Sequence, residues 1–134
     1  MKKIVVLGSG LVGGPMALDL AKDKDFKVTV VDIDAQALAR VKKIKGITAV
    51  QEDLSDTKSV RRIVQKHDMV ISAVPGSMGF RTLQTVLEAG KTVVDIAFFP
   101  EDPFELDALA RRNDVTAVVD CGVAPGMSLS LIHI

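Results

Sequence analysis

The residues with the clearest chemical potential are three glycines and an aspartate near the start of the chain. Gly8, Gly10 and Gly13 stand in the spacing G-x-G-x-x-G, with Leu11 and Val12 between the last two. An apolar run at residues 4–7 precedes them, and a mostly apolar segment follows. Read as strand, tight turn and helix, this sets a helix N-terminus at a strand's carboxyl end, where unpaired backbone N–H groups attract an anion. Gly8 permits the turn, Gly10 lets a pyrophosphate approach the backbone, and Gly13 lets the helix pack closely on the strand. Asp32 closes the stretch VTVVD about 20 residues further on, where a carboxylate accepts hydrogen bonds from the adenosine ribose hydroxyls. Such a carboxylate repels a 2′-phosphate, so NAD is the expected cofactor, in preference to NADP. Arg40, on the following helix, does not replace that role.

A second group of candidates falls at the ends of the later strands. Asp53 could accept from an adenine amino group while Leu54 covers the ring face. Equally, Asp53 could begin the capping run of the next helix and Leu54 belong to the core. Ala73, Val74 and Pro75, in SAVPG, place small residues across the sheet from the glycine turn, close to the centre of a bound dinucleotide. An ordinary Pro-Gly turn would use the same residues. Asp95 ends VVD in the fifth strand and could orient a cationic amine, or cap nearby backbone N–H groups. Cys121 follows VVD in the sixth strand. No histidine is placed to activate it, so it reads as a small wall residue or as core and not as a nucleophile. His67, His133 and Cys121 match no metal-ligand spacing, and no metal is expected. Phe80, Phe98 and Phe99 read as an apolar lid or core filler, and the pairs Arg61-Arg62 and Arg111-Arg112 as solvated helix surface.

The elements needed to position these residues follow from the apolar periodicity. Strands are expected at residues 4–7, 27–31, 47–50, 69–74, 92–97 and 115–119. Helices are expected at residues 11–22, 35–43, about 56–66, 80–89 and 104–112, with the segment PGSMG as a turn before the fourth. Pro15 is acceptable in the first turn of its helix, and Asp34 and Ser55 or Asp56 supply N-caps. Short apolar strands alternating with amphipathic helices imply an α/β fold, a Rossmann-type doubly wound parallel sheet with helices on both faces. Right-handed crossovers that reverse after the third strand give six strands in the order 3-2-1-4-5-6. Residues 1–120 read as this NAD(P)-binding domain and residues 121–134 as the start of a connection onward. The apolar end SLSLIHI carries no stop signal, which leads us to expect that the chain continues or packs against a partner there.

Composition narrows the classes. The 134 residues suffice for one domain with a sizeable core, and 48% of them are hydrophobic, which excludes disorder. Lys and Arg number 17, as do Asp and Glu, so net charge supplies no case for nucleic acid or a membrane surface. The start MKKIVVLGSG reads as a buried strand and not as an export signal. The single cysteine suits a reducing cytoplasm.

With these residues in view, the chain resembles the nucleotide-binding half of the saccharopine dehydrogenase-like family, which includes saccharopine reductases, carboxynorspermidine dehydrogenases and lysine dehydrogenases. The resemblance rests on VVLGSGLVGGPMALDLA at residues 5–21, ISAVPGSMG at 71–79, VVDIAFFPED at 93–102 and VVDCGVAPGMS at 118–128. It implies hydride transfer between a nicotinamide cofactor and the C–N bond of an amino-acid or imine substrate. It also implies a second, substrate and dimerisation domain inserted after Gly126, and a homodimer. Asp95, Cys121 and Gly122 would then approach the substrate. The acid or base and the groups clamping a substrate carboxylate would lie in the second domain, so these 134 residues alone would bind cofactor without turnover. Other readings are the nucleotide domain of a different amino-acid dehydrogenase, or a free-standing NAD-sensing regulatory module.

Overall fold

The computed structural model describes residues 1–122. Six strands run β1 (Lys2–Leu7), β2 (Phe26–Asp32), β3 (Ile47–Gln51), β4 (Met69–Ser72), β5 (Thr92–Asp95) and β6 (Ala117–Val118). They form one sheet in the order β3-β2-β1-β4-β5-β6, with every neighbouring pair parallel. This is the expected Rossmann-type arrangement, reversing direction between β3 and β4 so that a crevice opens beyond the carboxyl ends of β1 and β4. Five α-helices connect the strands: α1 (Gly13–Leu20), α2 (Ala35–Lys42), α3 (Thr57–Val64), α4 (Gly76–Glu88) and α5 (Asp107–Arg112), the last preceded by a 3₁₀ turn at Pro103–Leu106.

The layering follows from strand alternation. In β1, Ile4 and Val6 join Ala17 of α1 and Leu38 and Val41 of α2 in one core cluster. Val5 and Leu7 point to the other face and join Val60 and Val64 of α3 with Leu83, Val86 and Leu87 of α4. A strand buried on both faces is apolar at consecutive positions, which is why residues 4–7 read as an unbroken run. Helix starts follow their side-chain caps: Asp34 accepts from Gln36 N–H at 2.8 Å and Asp56 from Lys58 N–H at 3.1 Å.

Several boundaries differ from expectation, α1 being shorter at both ends and α5 beginning at Asp107 after its 3₁₀ turn. Strands β4 and β5 are shorter than their apolar runs, because residues 73–74 and 96–97 leave the ladder and line the cleft, and β6 covers only Ala117–Val118 of its run. Helix α4 begins at Gly76, four residues before the expected start, with Pro75 as its N-cap. The segment PGSMG is therefore no separate turn. Its glycines are demanded by packing: a Cβ on Gly76 would collide with the Phe98 carbonyl oxygen, and one on Gly79 would stand 2.6 Å from the Phe99 ring. Local propensity reads glycine as a breaker, whereas here the helix needs it to lie close to the chain after β5.

Candidate functional site

The first turn binds itself to the neighbouring strands through backbone contacts. Gly8 has φ +104° and donates its N–H to the Val31 carbonyl at 2.8 Å. Gly13 packs onto the Gly8 carbonyl with no room for a side chain. Ala73 donates to the Leu7 carbonyl at 2.8 Å, which brings the end of β4 alongside the turn. Helix α1 then starts at Gly13 without any side-chain cap. A Cβ at Gly10 would meet no protein atom within 4 Å, so this glycine is not required by packing. An uncapped helix start beside an open glycine is a surface that fits a pyrophosphate, with Gly8 and Gly13 shaping the cradle and Gly10 leaving it clear.

That surface is one side of an open cleft of about 430 Å³. Gly10, Leu11, Val12 and Gly13 line one wall, Ala73 to Gly76 the floor, and Ile96, Ala97 and Phe98 the wall opposite. Leu11, Val12 and Phe98 are exposed apolar residues on its rim. Val74 is itself buried.

Asp32 lies at the end of β2 with both carboxylate oxygens engaged. Oδ2 accepts from Ser9 N–H at 2.7 Å and Oδ1 from Asp34 N–H at 2.9 Å. Ser9, 2% exposed, donates its hydroxyl to the Ala37 carbonyl at 3.3 Å. The glycine turn, the end of β2 and the start of α2 are thus one hydrogen-bonded unit. Sequence reasoning missed Ser9, because a variable position between two glycines carries no signal of its own.

At the β3 edge, Asp53 Oδ1 accepts from the Ser55 amide at 2.9 Å and the Ser55 hydroxyl at 2.6 Å. These bonds hold its carboxyl below the usual aspartate range. Leu54 is buried in the cluster with Leu7, Val31 and Val74. Asp53 thus stands in the run that leads to the Asp56 cap of α3.

Asp95 has no exposed surface. Oδ1 accepts from Ala97 N–H at 2.8 Å, and Oδ2 has no partner among the described residues. Burial pushes its carboxyl up to about 6, against the Ala97 hydrogen bond and with a small contribution from the charge of Asp120. The side chain therefore stands behind the cleft wall, while Ala97 faces the cleft. Cys121 is exposed and donates its thiol to the Asp95 carbonyl at 3.2 Å. Burial raises the thiol above its ordinary range, so the thiolate needed by a nucleophile is disfavoured. Gly122 follows it, half-buried, at the end of the described chain. The remainder of the CGVAPGMS motif, His133 and the connection expected after Gly126 lie outside the described residues. His67 is held on the Ile63 carbonyl at 2.8 Å through Nδ1, away from the cleft. Among the described residues no cluster of three or more His, Cys, Asp or Glu is placed to hold a metal, and no helix is long and apolar enough to cross a membrane.

Comparison with known proteins bears on what this cleft takes. A family model described as the saccharopine dehydrogenase NADP binding domain matches residues 4–118. A relative from Pyricularia oryzae, the NADP(+), L-glutamate-forming saccharopine dehydrogenase, is 31% identical over 94% of this chain and 28% of its own length. The enzyme of the same name from Saccharomyces cerevisiae is 28% identical over 94% of this chain and 28% of its own. The solved apo structure of saccharopine dehydrogenase (L-Glu forming) from S. cerevisiae superposes with a TM-score of 0.83 at 25% identity, covering 96% of this chain and 29% of that one. The chain thus spans under a third of the length of these relatives. Their names overturn the preference for NAD expected from Asp32, since both fungal enzymes are named for NADP(+). The contacts of Asp32 give the physical reason why that expectation was too strong. A carboxylate already accepting two backbone N–H groups is part of the turn's own structure and does not by its presence decide the cofactor.

Proposed function

This chain belongs to the saccharopine dehydrogenase NADP-binding domain family, and from that premise we propose that it is the nucleotide-binding part of an oxidoreductase acting on the C–N bond of an amino-acid or imine substrate. The observation that carries the reading is the open Gly10 beside the uncapped start of α1, facing Ala73 and Val74 across the switch point of the sheet.

The roles follow from position. Gly8 shapes the turn, its own N–H taken by the Val31 carbonyl, and the backbone N–H groups from Gly10 to Gly13, through Leu11 and Val12, hold the pyrophosphate. Asp32 lies beside the adenosine ribose, with Asp53 and Leu54 at the adenine end. Ala73, Val74 and Pro75 run under the nicotinamide end, and their small side chains let the ring come down to the backbone. The substrate approaches past Cys121 and Gly122, with Asp95 behind the wall. Bound nicotinamide supplies the hydride chemistry. The protein's share is to orient the ring and exclude water at the apolar rim of Leu11, Val12 and Phe98. Residues 1–120 form the nucleotide domain in this reading, and residue 121 begins the passage to a substrate domain in a cytoplasmic homodimer.

Calorimetric titration with NADPH and NADH tests the proposal directly. Saturable binding of NADPH, competed by a free adenosine 2′,5′-bisphosphate, is the expected result. Absence of binding by either dinucleotide would overturn it.

A further inference from the structure

Ser72 closes β4 and Asp95 closes β5, and the two are register partners across that strand pair. Each lies two positions beyond a residue of the α3–α4 core, Val70 and Val93, so both side chains point to that face of the sheet. Neither has any exposed surface. Among the described residues, neither Ser72 Oγ nor Asp95 Oδ2 has a hydrogen-bond partner. One orphaned buried polar atom is a cost, and two at facing positions are a pattern. Proteins satisfy such pairs with an internal water, which needs at least two polar partners and a polar niche.

We propose that Ser72 and Asp95 hold one buried water between them and act together as positioning residues for the Ile96–Phe98 wall of the nucleotide cleft. The Ser72 hydroxyl donates to the water, and the water donates to Asp95 Oδ2. That bond stops the carboxylate from turning, and Oδ1 keeps its hold on Ala97 N–H at 2.8 Å. The same turn is tied at its other atoms: Ile96 N–H donates to the Ser72 carbonyl at 3.1 Å, and the Cys121 thiol to the Asp95 carbonyl at 3.2 Å. Ile96, Ala97 and Phe98 line the cleft together with the glycine turn. Asp95 thus acts on the cleft from behind, through Ala97, without touching its contents.

The functional half of this inference rests on the cleft being a dinucleotide site, so the test has two arms. A high-resolution crystal structure of the full-length protein should show a water about 2.6–3.2 Å from both Ser72 Oγ and Asp95 Oδ2. A dry site, with the two side chains bonded directly, overturns the water. In the second arm, NADPH affinity is measured on folded Asp95→Asn, Asp95→Ala and Ser72→Ala. Asparagine keeps an acceptor for Ala97 and should stay within about threefold of the wild type, while alanine at 95 should bind about tenfold more weakly. Ser72→Ala, the mildest change to folding, should fall between them. Asparagine as weak as alanine would mean that the charge itself is used, and an unaltered Asp95→Ala or Ser72→Ala would mean that the wall does not depend on the pair. Either result overturns the positioning role. Failure of the wild type to bind any dinucleotide would count against the proposed function, while the water is still read in the crystal.

Discussion

Gly8 and Ala73 meet backbone to backbone: a Cβ on Gly8 would stand 2.5 Å from the Ala73 carbonyl oxygen, at a residue whose φ is +104°. The contact fuses the end of β1 to the end of β4 at the point where the cleft opens. Gly8→Ala suffers both a left-handed backbone and a steric conflict, so it should destabilise the fold by at least about 2 kcal/mol. Urea denaturation reads this. A wild-type midpoint would show that the two strand ends are not in contact.

Gly10 offers the opposite case. No protein atom lies within 4 Å of its would-be Cβ, so Gly10→Ala should leave unfolding within about 0.5 kcal/mol of the wild type. Affinity for a nicotinamide dinucleotide should nevertheless drop about tenfold or more, because only a bound pyrophosphate competes for that space. Paired melting and titration experiments separate the two effects. Unaltered affinity would remove the pyrophosphate from this turn.

Asp95 predicts a pH dependence of stability. Its carboxyl is raised to about 6 in the folded protein, so between the unfolded value of 3.8 and 6 the folded state binds more protons than the unfolded. Stability from this group is therefore full below about pH 4 and is lost as pH rises through 6, by at most about 3 kcal/mol. Asp95→Asn should remove that slope and be more stable than the wild type at pH 7.5, with little difference at pH 4. Denaturant midpoints across this range provide the check, and parallel profiles for the two proteins would contradict it.

Helix α2 tests the link between a cap and the site. Asp34 accepts from Gln36 N–H at 2.8 Å, and its own N–H donates to Asp32. Asp34→Ala removes the side-chain cap and leaves the backbone bond. A loss of about 1 kcal/mol in stability is expected, with dinucleotide affinity unaltered. A large drop in affinity would show that α2 and the glycine turn are coupled through the cap as well as through Ser9.

The parts of this architecture that could be read before folding are those encoded by short-range pattern. Residues 4–7 are apolar without alternation because β1 is covered on both faces, and that covering is the property of a central parallel strand. Asp34 and Asp56 announce helix starts because a cap acts within three residues. The glycine spacing before α1 is legible for the same reason, since strand, turn and helix follow one another in the chain.

Gly76 and Gly79 show where that legibility stops. Their meaning depends on Phe98 and Phe99, about 20 residues away, and local propensity has no access to those partners. Asp32 and Asp95 fail in the same way. Both close their strands, as their positions in the sequence imply, but a carboxylate's role is set by its hydrogen-bond partners and burial. Asp32 is taken up by the turn at Ser9, and Asp95 is turned inward onto Ala97.

The sequence by itself determined the strand order, the two-faced core and the position of the glycine turn, because each follows from patterns within one βα unit or from the handedness of its crossover. Only the tertiary structure decided that Gly76 and Gly79 belong to a helix, since they lie against Phe98 and Phe99. It alone decided that Ser72 and Asp95 face one another, both buried, behind the cleft wall. Those facts belong to contacts between distant strands, and such contacts exist only once the sheet has closed its register.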